Sequence, residues 1–353
     1  MAQARVPNRL IEICATVADA DSRALRARLL DALRPYVPFD AHVWVLTDPE
    51  TSVGTAPLAQ VPVPLFAQLP DLVRAKYLST VNRWTTLGES VATLDGRPME
   101  LDTDPGDSWT HLLHMHGITD VASMAFSDRQ GCWGFLDLWR AHGAPPFSVA
   151  ECELLEEARA PVTRALRQSQ AAAFVPGLVP APYLGPVVAL LSPELLMLGQ
   201  TPAAPALLGA LLPTQNTEQV IPAAALNVAA QLLAVEAGID ASPPEARVHL
   251  AGSLWLKSRA AWITDGRPGG DRTIAVTIEP ATASDRARLF ARAHALTDRE
   301  RELLVRLCGG GDTRRVASDM SLSTHTVQDH LKSIFAETGV SSRRELLARA
   351  LGG

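Results

Sequence analysis

The sequence predicts a multidomain protein in which two α+β domains are followed by an all-α domain of four helices. A chain of 353 residues has the length of two to three ordinary domains. Strand and helix patterns alternate as far as residue 280, whereas only helical periodicity follows residue 290. We therefore expect domains at residues 9–170, 187–280 and 290–353, with a proline- and alanine-rich linker at 171–186.

The composition excludes two broad classes of protein. Hydrophobic residues make up 47% of the chain and charged residues 20%, so the whole chain is not disordered. A net charge of -6 excludes a uniformly basic nucleic-acid-binding surface. From Phe290 onward, however, ten Lys or Arg oppose eight Asp or Glu, a net of +2 that leaves -8 upstream. DNA would therefore meet the least repulsion at the C-terminal end.

Cysteine spacing and hydropathy predict a cytoplasmic protein without a metal or cofactor. The four cysteines form no closely spaced pair, which argues against a zinc ribbon or a redox dithiol. The N-terminus has no signal-like pattern, so we expect reduced thiols. The longest uncharged run, Gln168 to Pro193, holds five prolines, so we expect no membrane span.

The first domain opens with two helical patterns, and the second of them ends before Pro35. Ala41–Leu46 reads as a strand, rich in β-branched and aromatic residues. Val121–Phe126 and Cys132–Trp139 read as two more strands, and the polar turn between them predicts a hairpin. A helix follows the capping box that begins at Ser148.

The second domain reads as strands, then helices, then strands, which predicts one antiparallel sheet with helices on one face. A short hairpin is expected at Val187–Leu191 and Leu195–Gly199. Helical patterns follow at Ala203–Leu212 and Ala223–Ala237. The last strands are expected at Arg247–Ala251, Ser253–Ile263 and Thr273–Glu279, with a turn at Asp265–Asp271.

Aromatic residues of the first domain form a candidate small-molecule pocket. Strand alternation places Trp133, Phe135 and Asp137 on one face. Packing of an ordinary core is the alternative interpretation of the same residues. The candidate pocket residues are Trp84, Trp109, Phe126, Trp133 and Phe135.

Two other clusters contain residue types that can bind metal ions. His111, His114 and His116 lie within six residues, but no Asp, Glu or Cys completes a ligand set at a fixed spacing. Asp102–Asp107 lacks the distal Glu of a calcium loop. Loop or helix-end histidines and a solvated turn therefore explain them better.

The chain carries no recognisable enzyme motif, and we expect it not to be an enzyme. It has no Walker loop, no G-x-S-x-G elbow and no H-E-x-x-H. A phosphate-receiver domain needs a lysine beside clustered acidic residues, and the only lysines are Lys76, Lys257 and Lys332.

The last sixty residues predict a helix-turn-helix. A helix begins at the capping box of Thr297 and Glu300 and ends at the glycines 309–311. Thr313–Met320 is a short second helix, and a tight break separates it from Thr324–Thr338. A fourth helix follows at residues 343–351. The outward side of the third helix carries polar groups that suit base edges in a major groove.

Residues Leu296–Leu351 resemble the LuxR/NarL-type helix-turn-helix domain. The residues that carry the resemblance are LTDRERE at 296–302, the inter-helix Gly310, Val316 with Ala317, Thr326 with Val327 and His330, and Gly339 with Val340 and Arg343. The resemblance implies that the domain binds double-stranded DNA as a homodimer paired through the fourth helix. Gln328, Asp329 and Lys332 would read bases. Phosphate contacts would come from Thr313, Arg314, Ser323, Thr324, Thr326 and Arg343.

The third helix departs from this family at two positions. Lysine is common in the family where this chain has Gln328, and an apolar residue is frequent where it has Asp329. Both changes remove positive charge from the expected DNA surface, so we expect weaker non-specific binding and a shallow salt dependence.

The upstream domains resemble sensor domains. Gly131–Leu155 is similar to the closing strand and helix of GAF-type domains of actinobacterial regulators, and Val187–Pro280 is similar to a divergent PAS-type domain. The expected function is a dimeric, cytoplasmic transcriptional regulator, at the nucleoid when bound to DNA. A small-molecule or protein signal at the upstream sensor domains would control DNA binding or activation, and RNA polymerase is a possible partner. The alternative is a protein-interaction co-regulator whose helix-turn-helix serves dimerisation.

Overall fold

The computed structural model describes residues 8–17, 21–94, 108–175, 187–205, 207, 221–264 and 272–352. The strands are β1 (Ala41–Thr47), β2 (Gly54–Gln60), β3 (Ala92–Thr93), β4 (Ile118–Asp128), β5 (Gly131–Ala141), β6 (Val187–Leu191), β7 (Met197–Gln200), β8 (Glu245–Ala251), β9 (Leu254–Thr264) and β10 (Arg272–Pro280). The helices are α1 (Asn8–Ala15), α2 (Ser22–Leu33), α3 (Val63–Ala67), α4 (Leu69–Leu78), α5 (Ser108–Met115), α6 (Val149–Ala172), α7 (Ala223–Glu236), α8 (Ala283–Ala293), α9 (Asp298–Cys308), α10 (Thr313–Asp319), α11 (Thr324–Thr338) and α12 (Arg343–Leu351).

The first region is built on a five-stranded antiparallel sheet in the order β2-β1-β5-β4-β3. The predicted strands and hairpin are confirmed, because β4 and β5 pair directly across a short turn. One face of the sheet packs against α1, α2 and α6, and the other against α4 and α5. The predicted capping box at Ser148 is also confirmed, since Ser148 and Glu151 bond each other's backbone N–H at the start of α6.

A β-bulge corrects the predicted strand alternation. Phe126 pairs with Gly134 and Ser127 with Cys132, so Trp133 is an extra residue on β5. The extra residue shifts the alternation of side chains between the two faces. Trp133 therefore packs in the core beneath α6, whereas Phe135 lies on the opposite face. The expectation that both would share one face was wrong because periodicity alone does not reveal a bulge.

The hairpin turn between β4 and β5 depends on Gly131. Its φ of 136° is rarely adopted by other residues, and a β-carbon there would overlap the carbonyl oxygen of Pro49. We expect Gly131→Ala to lower the free energy of unfolding by about 3 kcal/mol, because strain and overlap add. The matched control is Gly143→Ala, where φ is also positive but no described atom lies within 4 Å of the added carbon. We expect it to cost about 1 kcal/mol. Equal losses in urea unfolding would show that the Pro49 contact has no energetic weight.

The second region repeats the strand order of the first. Its five strands run β7-β6-β10-β9-β8, again with antiparallel neighbours. The predicted hairpin, the helix at α7 and the three final strands are confirmed. The predicted turn Asp265–Asp271 and most of the predicted helix Ala203–Leu212 and linker 171–186 lie outside the described residues.

Helix α7 joins the two regions. Apart from three partly exposed positions and the exposed Glu236, its residues are buried, because it packs against β9 of its own sheet on one side and against β2 and α4 on the other. A helix enclosed by two domains is apolar on nearly all sides, which explains the run AAALNVAAQLLAV.

A buried ion pair also connects the two regions. The Arg247 guanidinium on β8 donates from Nε to Asp48 Oδ2 at 2.6 Å and from Nη2 to Asp48 Oδ1 at 2.7 Å. Both side chains are about 1% exposed or less. Burial opposes ionisation of Arg247, but the hydrogen bonds and charge of Asp48 outweigh it and raise the arginine pKa. Glu50 adds a second carboxylate at 2.6 Å from Nη2.

Helix α8 connects the two upstream regions to the C-terminal helices, and it spans the start predicted for the last domain at residue 290. Phe290 of α8 packs edge-to-face on Phe174, which stacks on Trp255 of β9 at 4.7 Å. These rings bring the end of α6, the second sheet and α8 into one core. None of the helices built from the described residues is long and apolar enough to span a membrane.

Candidate DNA-binding surface

The C-terminal helices begin at a capping box, as predicted. The Thr297 backbone N–H donates to Glu300 Oε2 at 2.8 Å, and the Glu300 N–H donates to Thr297 Oγ1 at 3.4 Å. Burial would raise the Glu300 pKa, but the hydrogen bonds it accepts lower the pKa overall. The carboxylate therefore stays ionised at the positive end of α9, where it stabilises the helix.

The next two helices form the predicted helix-turn-helix. Asp312 caps α10 by accepting from Arg315 N at 2.8 Å, and Ser323 caps α11 by accepting from Thr326 N at 3.0 Å. Gly339 ends α11 with a φ of 65°, the left-handed conformation of a helix C-cap. The shared core consists of Leu303, Leu304, Leu307, Val316, Ala317, Met320, Val327, Leu331, Ile334, Val340, Leu346 and Ala350.

The outward side of α11 is exposed along its length. The three residues predicted to read bases, Gln328, Asp329 and Lys332, are all exposed, and the Lys332 side chain is 74% exposed. Among the described elements, α11 packs chiefly against α9, α10 and α12, which leaves the side that carries these three residues exposed. This surface is free to enter a groove.

Asp329 lies beside two basic side chains on the exposed side of α11. Its Oδ1 lies 3.3 Å from Lys332 Nζ, and its Oδ2 lies 3.5 Å from His325 Nε2. These exposed pairs are weak because water screens them. Asp329 nevertheless partly neutralises the one lysine of the helix, so the surface is less cationic than its Lys and His content implies.

The six residues predicted to contact phosphates lie in different surroundings. Thr324 and Arg314 are exposed at or near helix N-termini, where backbone N–H groups and the helix dipole favour anions. Arg343 instead donates from Nη2 to the carbonyl oxygen of Gly311 at 2.5 Å, which ties α12 to the loop before α10. The remaining three, Thr313, Ser323 and Thr326, lie beside these helix starts; the Ser323 and Thr326 hydroxyls are 2.9 Å apart.

Asp312, which caps α10, adds a negative charge beside the residues predicted to contact phosphates. Hydrogen bonding from the Arg315 backbone, together with the nearby Arg314 charge, lowers the Asp312 pKa. Asp312 thus stays ionised next to two predicted phosphate contacts. Its charge reinforces the expectation of few neutralised phosphates.

The side opposite α11 is docked on the first region. Arg292 Nη1 donates to the backbone oxygen of Gln130 at 2.6 Å, and Arg301 Nη2 donates to Gln130 Oε1 at 3.2 Å. Arg167 of α6 bridges Asp128 at 3.1 Å and the carbonyl of Ala293 at 3.3 Å. The β4–β5 turn therefore supports α8 and α9, and sequence reasoning did not find this contact. The T-x-x-D capping box at Thr282 is a sequence signal for the start of α8, the helix that makes part of this contact.

The aromatic residues predicted to line one pocket do not converge. Trp84 stacks on Phe135 at 5.2 Å and lines a cavity beside β1 and α4. Trp109 lies beneath Lys76, whose Nζ is 3.6 Å from the ring centroid. Phe126 and Trp133 lie in the core on the opposite face of the sheet, where Phe126 stacks on Trp44 at 5.2 Å.

The three histidines of the sequence cluster lie on α5 and just beyond its end. His111 and His114 lie on α5 and His116 follows it, but among the described residues no three His, Cys, Asp or Glu side chains are placed to hold a metal ion. The acidic segment 102–107 lies outside the described residues.

Residues 294–350 match the family described as bacterial regulatory proteins, luxR family. This range covers α9 to α12, so the C-terminal helices form a LuxR-type helix-turn-helix domain. Over 89 residues the chain is 37% identical to the probable HTH-type transcriptional regulator GfsR of Streptomyces halstedii, covering 24% of this chain and 37% of that protein. Over 62 residues it is 32% identical to the transcriptional regulatory protein DesR of Bacillus subtilis strain 168, covering 18% of this chain and 31% of that protein.

These matches are to regulatory proteins, not to enzymes, and the chain spans about a third of the length of the two relatives. The crystal structure of Escherichia coli SdiA aligns with 98% of this chain and 95% of its own, at 9% identity and a TM-score of 0.36. A likeness at that level does not establish a shared fold.

Proposed function

We propose that this chain is a DNA-binding transcriptional regulator that acts as a homodimer. The observation that carries the proposal is the exposed outward side of α11, which presents Gln328, Asp329 and Lys332 beside the N-termini of two helices. This arrangement suits direct readout of base edges, with phosphates held at the helix ends. A LuxR-type domain at residues 294–350 supports the same function.

Helix α12 is the proposed pairing helix of the homodimer. Leu346 and Ala350 are buried within the chain, whereas Leu347, Ala348 and Leu351 remain partly exposed. A second copy packed along this edge would place two α11 helices on one duplex, so the DNA site would be two-fold symmetric.

The upstream regions are proposed to be a GAF-like and a PAS-like sensor that control DNA binding or activation. Two features support this: each is a five-stranded antiparallel sheet with one strand order, and α6 follows β5 as the GAF resemblance implies. A signal acts through such domains only if it binds one arrangement better than another. We place the protein in the cytoplasm, at the nucleoid when bound, with RNA polymerase as a possible further partner.

Selection of DNA duplexes from a random pool by the full chain tests the proposal. We expect enrichment of a two-fold symmetric site and tighter anisotropy-measured binding to it than to unrelated duplex at 0.15 M salt. The pairing of Asp329 with Lys332 favours one rival, a co-regulator that dimerises without reading DNA. A dimer that enriches no sequence would support that rival and overturn the proposal.

A further inference from the structure

A cavity lies between the first region and the helix that joins it to the second. Its volume is about 140 Å³. β1, β2 and α4 form most of the wall through apolar side chains such as Val43, Val45 and Leu72. Ala223 and Asn227 of α7 line it from the second region. A molecule in this cavity would therefore contact both sensor regions at once.

The buried charges beside the cavity, Lys76 and Asp137, neutralise each other within the protein. Lys76 Nζ lies 3.0 Å from Asp137 Oδ2 and donates to the Asn82 carbonyl at 3.1 Å. The other oxygen, Asp137 Oδ1, accepts from Trp84 Nε1 at 2.9 Å. With both members of the pair satisfied, the buried wall leaves no charge for an ionic ligand to balance; Arg23, which also lines the cavity, is exposed to solvent, where water screens its charge. Desolvating an ionic ligand here would be uncompensated, so the cavity favours a neutral molecule.

Two other lining residues carry buried N–H groups that are unsatisfied. Asn227 is 3% exposed and Trp139 is 1% exposed. Neither Asn227 Nδ2 nor Trp139 Nε1 has a hydrogen-bond partner among the described residues. An unsatisfied buried donor is costly, so such groups are usually paired with protein, water or ligand. A ligand oxygen is the complement of such a donor.

We infer that this cavity binds a small neutral molecule, about the size of one ring, that carries a carbonyl-type oxygen accepting from Asn227 or Trp139. The size follows from comparison with an apolar protein cavity of about 150 Å³ that binds benzene. The inference deepens the proposed function and rests on it for its regulatory meaning, because it names the chemistry of the signal. Since the cavity wall comes from both regions, the ligand would stabilise α7 against the first region.

Calorimetric titration of the full chain with three probes of similar size tests the inference without DNA. Acetophenone carries the required oxygen, ethylbenzene lacks it, and benzoate is charged. We expect acetophenone to bind about fivefold to tenfold more tightly than ethylbenzene, the effect of one hydrogen bond, and benzoate to bind most weakly. Failure of all three to bind, equal binding of the first two, or tightest binding of benzoate would overturn the inference.

Variants assign the effect to the two donors. Asn227→Leu and Trp139→Phe each remove a donor and keep most of the apolar volume. We expect at least one of them to abolish the preference for acetophenone while ethylbenzene still binds, and we expect Ala223→Phe, which fills the cavity, to prevent binding of both. A preference that survives both donor variants would overturn the inference. DNA selection is measured separately, so loss of one activity does not imply loss of the other.

Discussion

Replacing Arg247 with methionine is expected to lower the free energy of unfolding by about 3 to 5 kcal/mol, as removal of one partner from a buried ion pair does. The Asp48 carboxyl group, which is 0% exposed, would lose its counterion and retain only backbone donors such as the residue 247 N–H, now at 2.8 Å. Urea unfolding monitored by tryptophan fluorescence gives the change. The loss would weaken the attachment of the second sheet to the first, because the pair joins β8 to the turn after β1.

A second substitution shows whether the buried charge causes the loss. Asp48→Asn in the Arg247→Met background removes the charge but leaves an oxygen for the Arg247 backbone N–H. We expect this double variant to be more stable than Arg247→Met alone. The matched control is Arg259→Met, which breaks an exposed pair with Glu245 whose arginine side chain is 54% exposed. Such pairs contribute about 1 kcal/mol or less. If Arg259→Met were as costly as Arg247→Met, or the double variant less stable than the single one, burial would not be the cause.

Local signals account for the parts of the fold that the sequence predicts best. Each capping box, at Ser148 and at Thr297, and the helix C-cap at Gly339 depends on residues no more than four positions apart. These signals can therefore be recognised in the sequence, and the structure contains all three. β1, β4 and β5 of the first sheet and the five strands of the second were similarly recognisable from β-branched and aromatic runs, whereas β2 and β3 were not predicted. The exposed surface of α11 follows directly from correct helix boundaries, which is why the exposure of its candidate base-reading residues was predictable.

Tertiary features account for the parts that were not predicted. Asp48 and Arg247 are 199 residues apart, and the sequence near either residue does not indicate that the two pair. The bulge at Trp133 depends on how β5 registers with β4, so alternation placed that ring on the wrong face. The cavity at α7 needs two domains to form, and only one of the five aromatic residues expected in a pocket, Trp84, lines it. Sequence patterns thus defined the elements but not the contacts between domains.

Lys332→Ala is expected to weaken binding to the selected DNA site by about tenfold to a hundredfold, because a contact to a base edge contributes about 1 to 3 kcal/mol. Lys332 is the lysine of α11. Its side chain is 74% exposed and is therefore accessible to a guanine base edge. Anisotropy titrations with the selected site and with unrelated duplex separate the two modes of binding. We expect a larger loss for the selected site. Arg314→Ala should instead weaken both duplexes alike and reduce the salt slope by about one, as loss of a phosphate contact does.

Asp329→Asn is the informative partner of this variant. Removing the carboxylate 3.3 Å from Lys332 Nζ frees the lysine and reduces repulsion of phosphates, so we expect tighter binding to unrelated duplex and lower selectivity. Arg272→Ala is the control for Lys332→Ala, since it also removes one positive charge, from an exposed arginine on β10 of the second sheet. It should leave both affinities unchanged. If Lys332→Ala behaved as Arg272→Ala does, α11 would not be the surface that reads DNA.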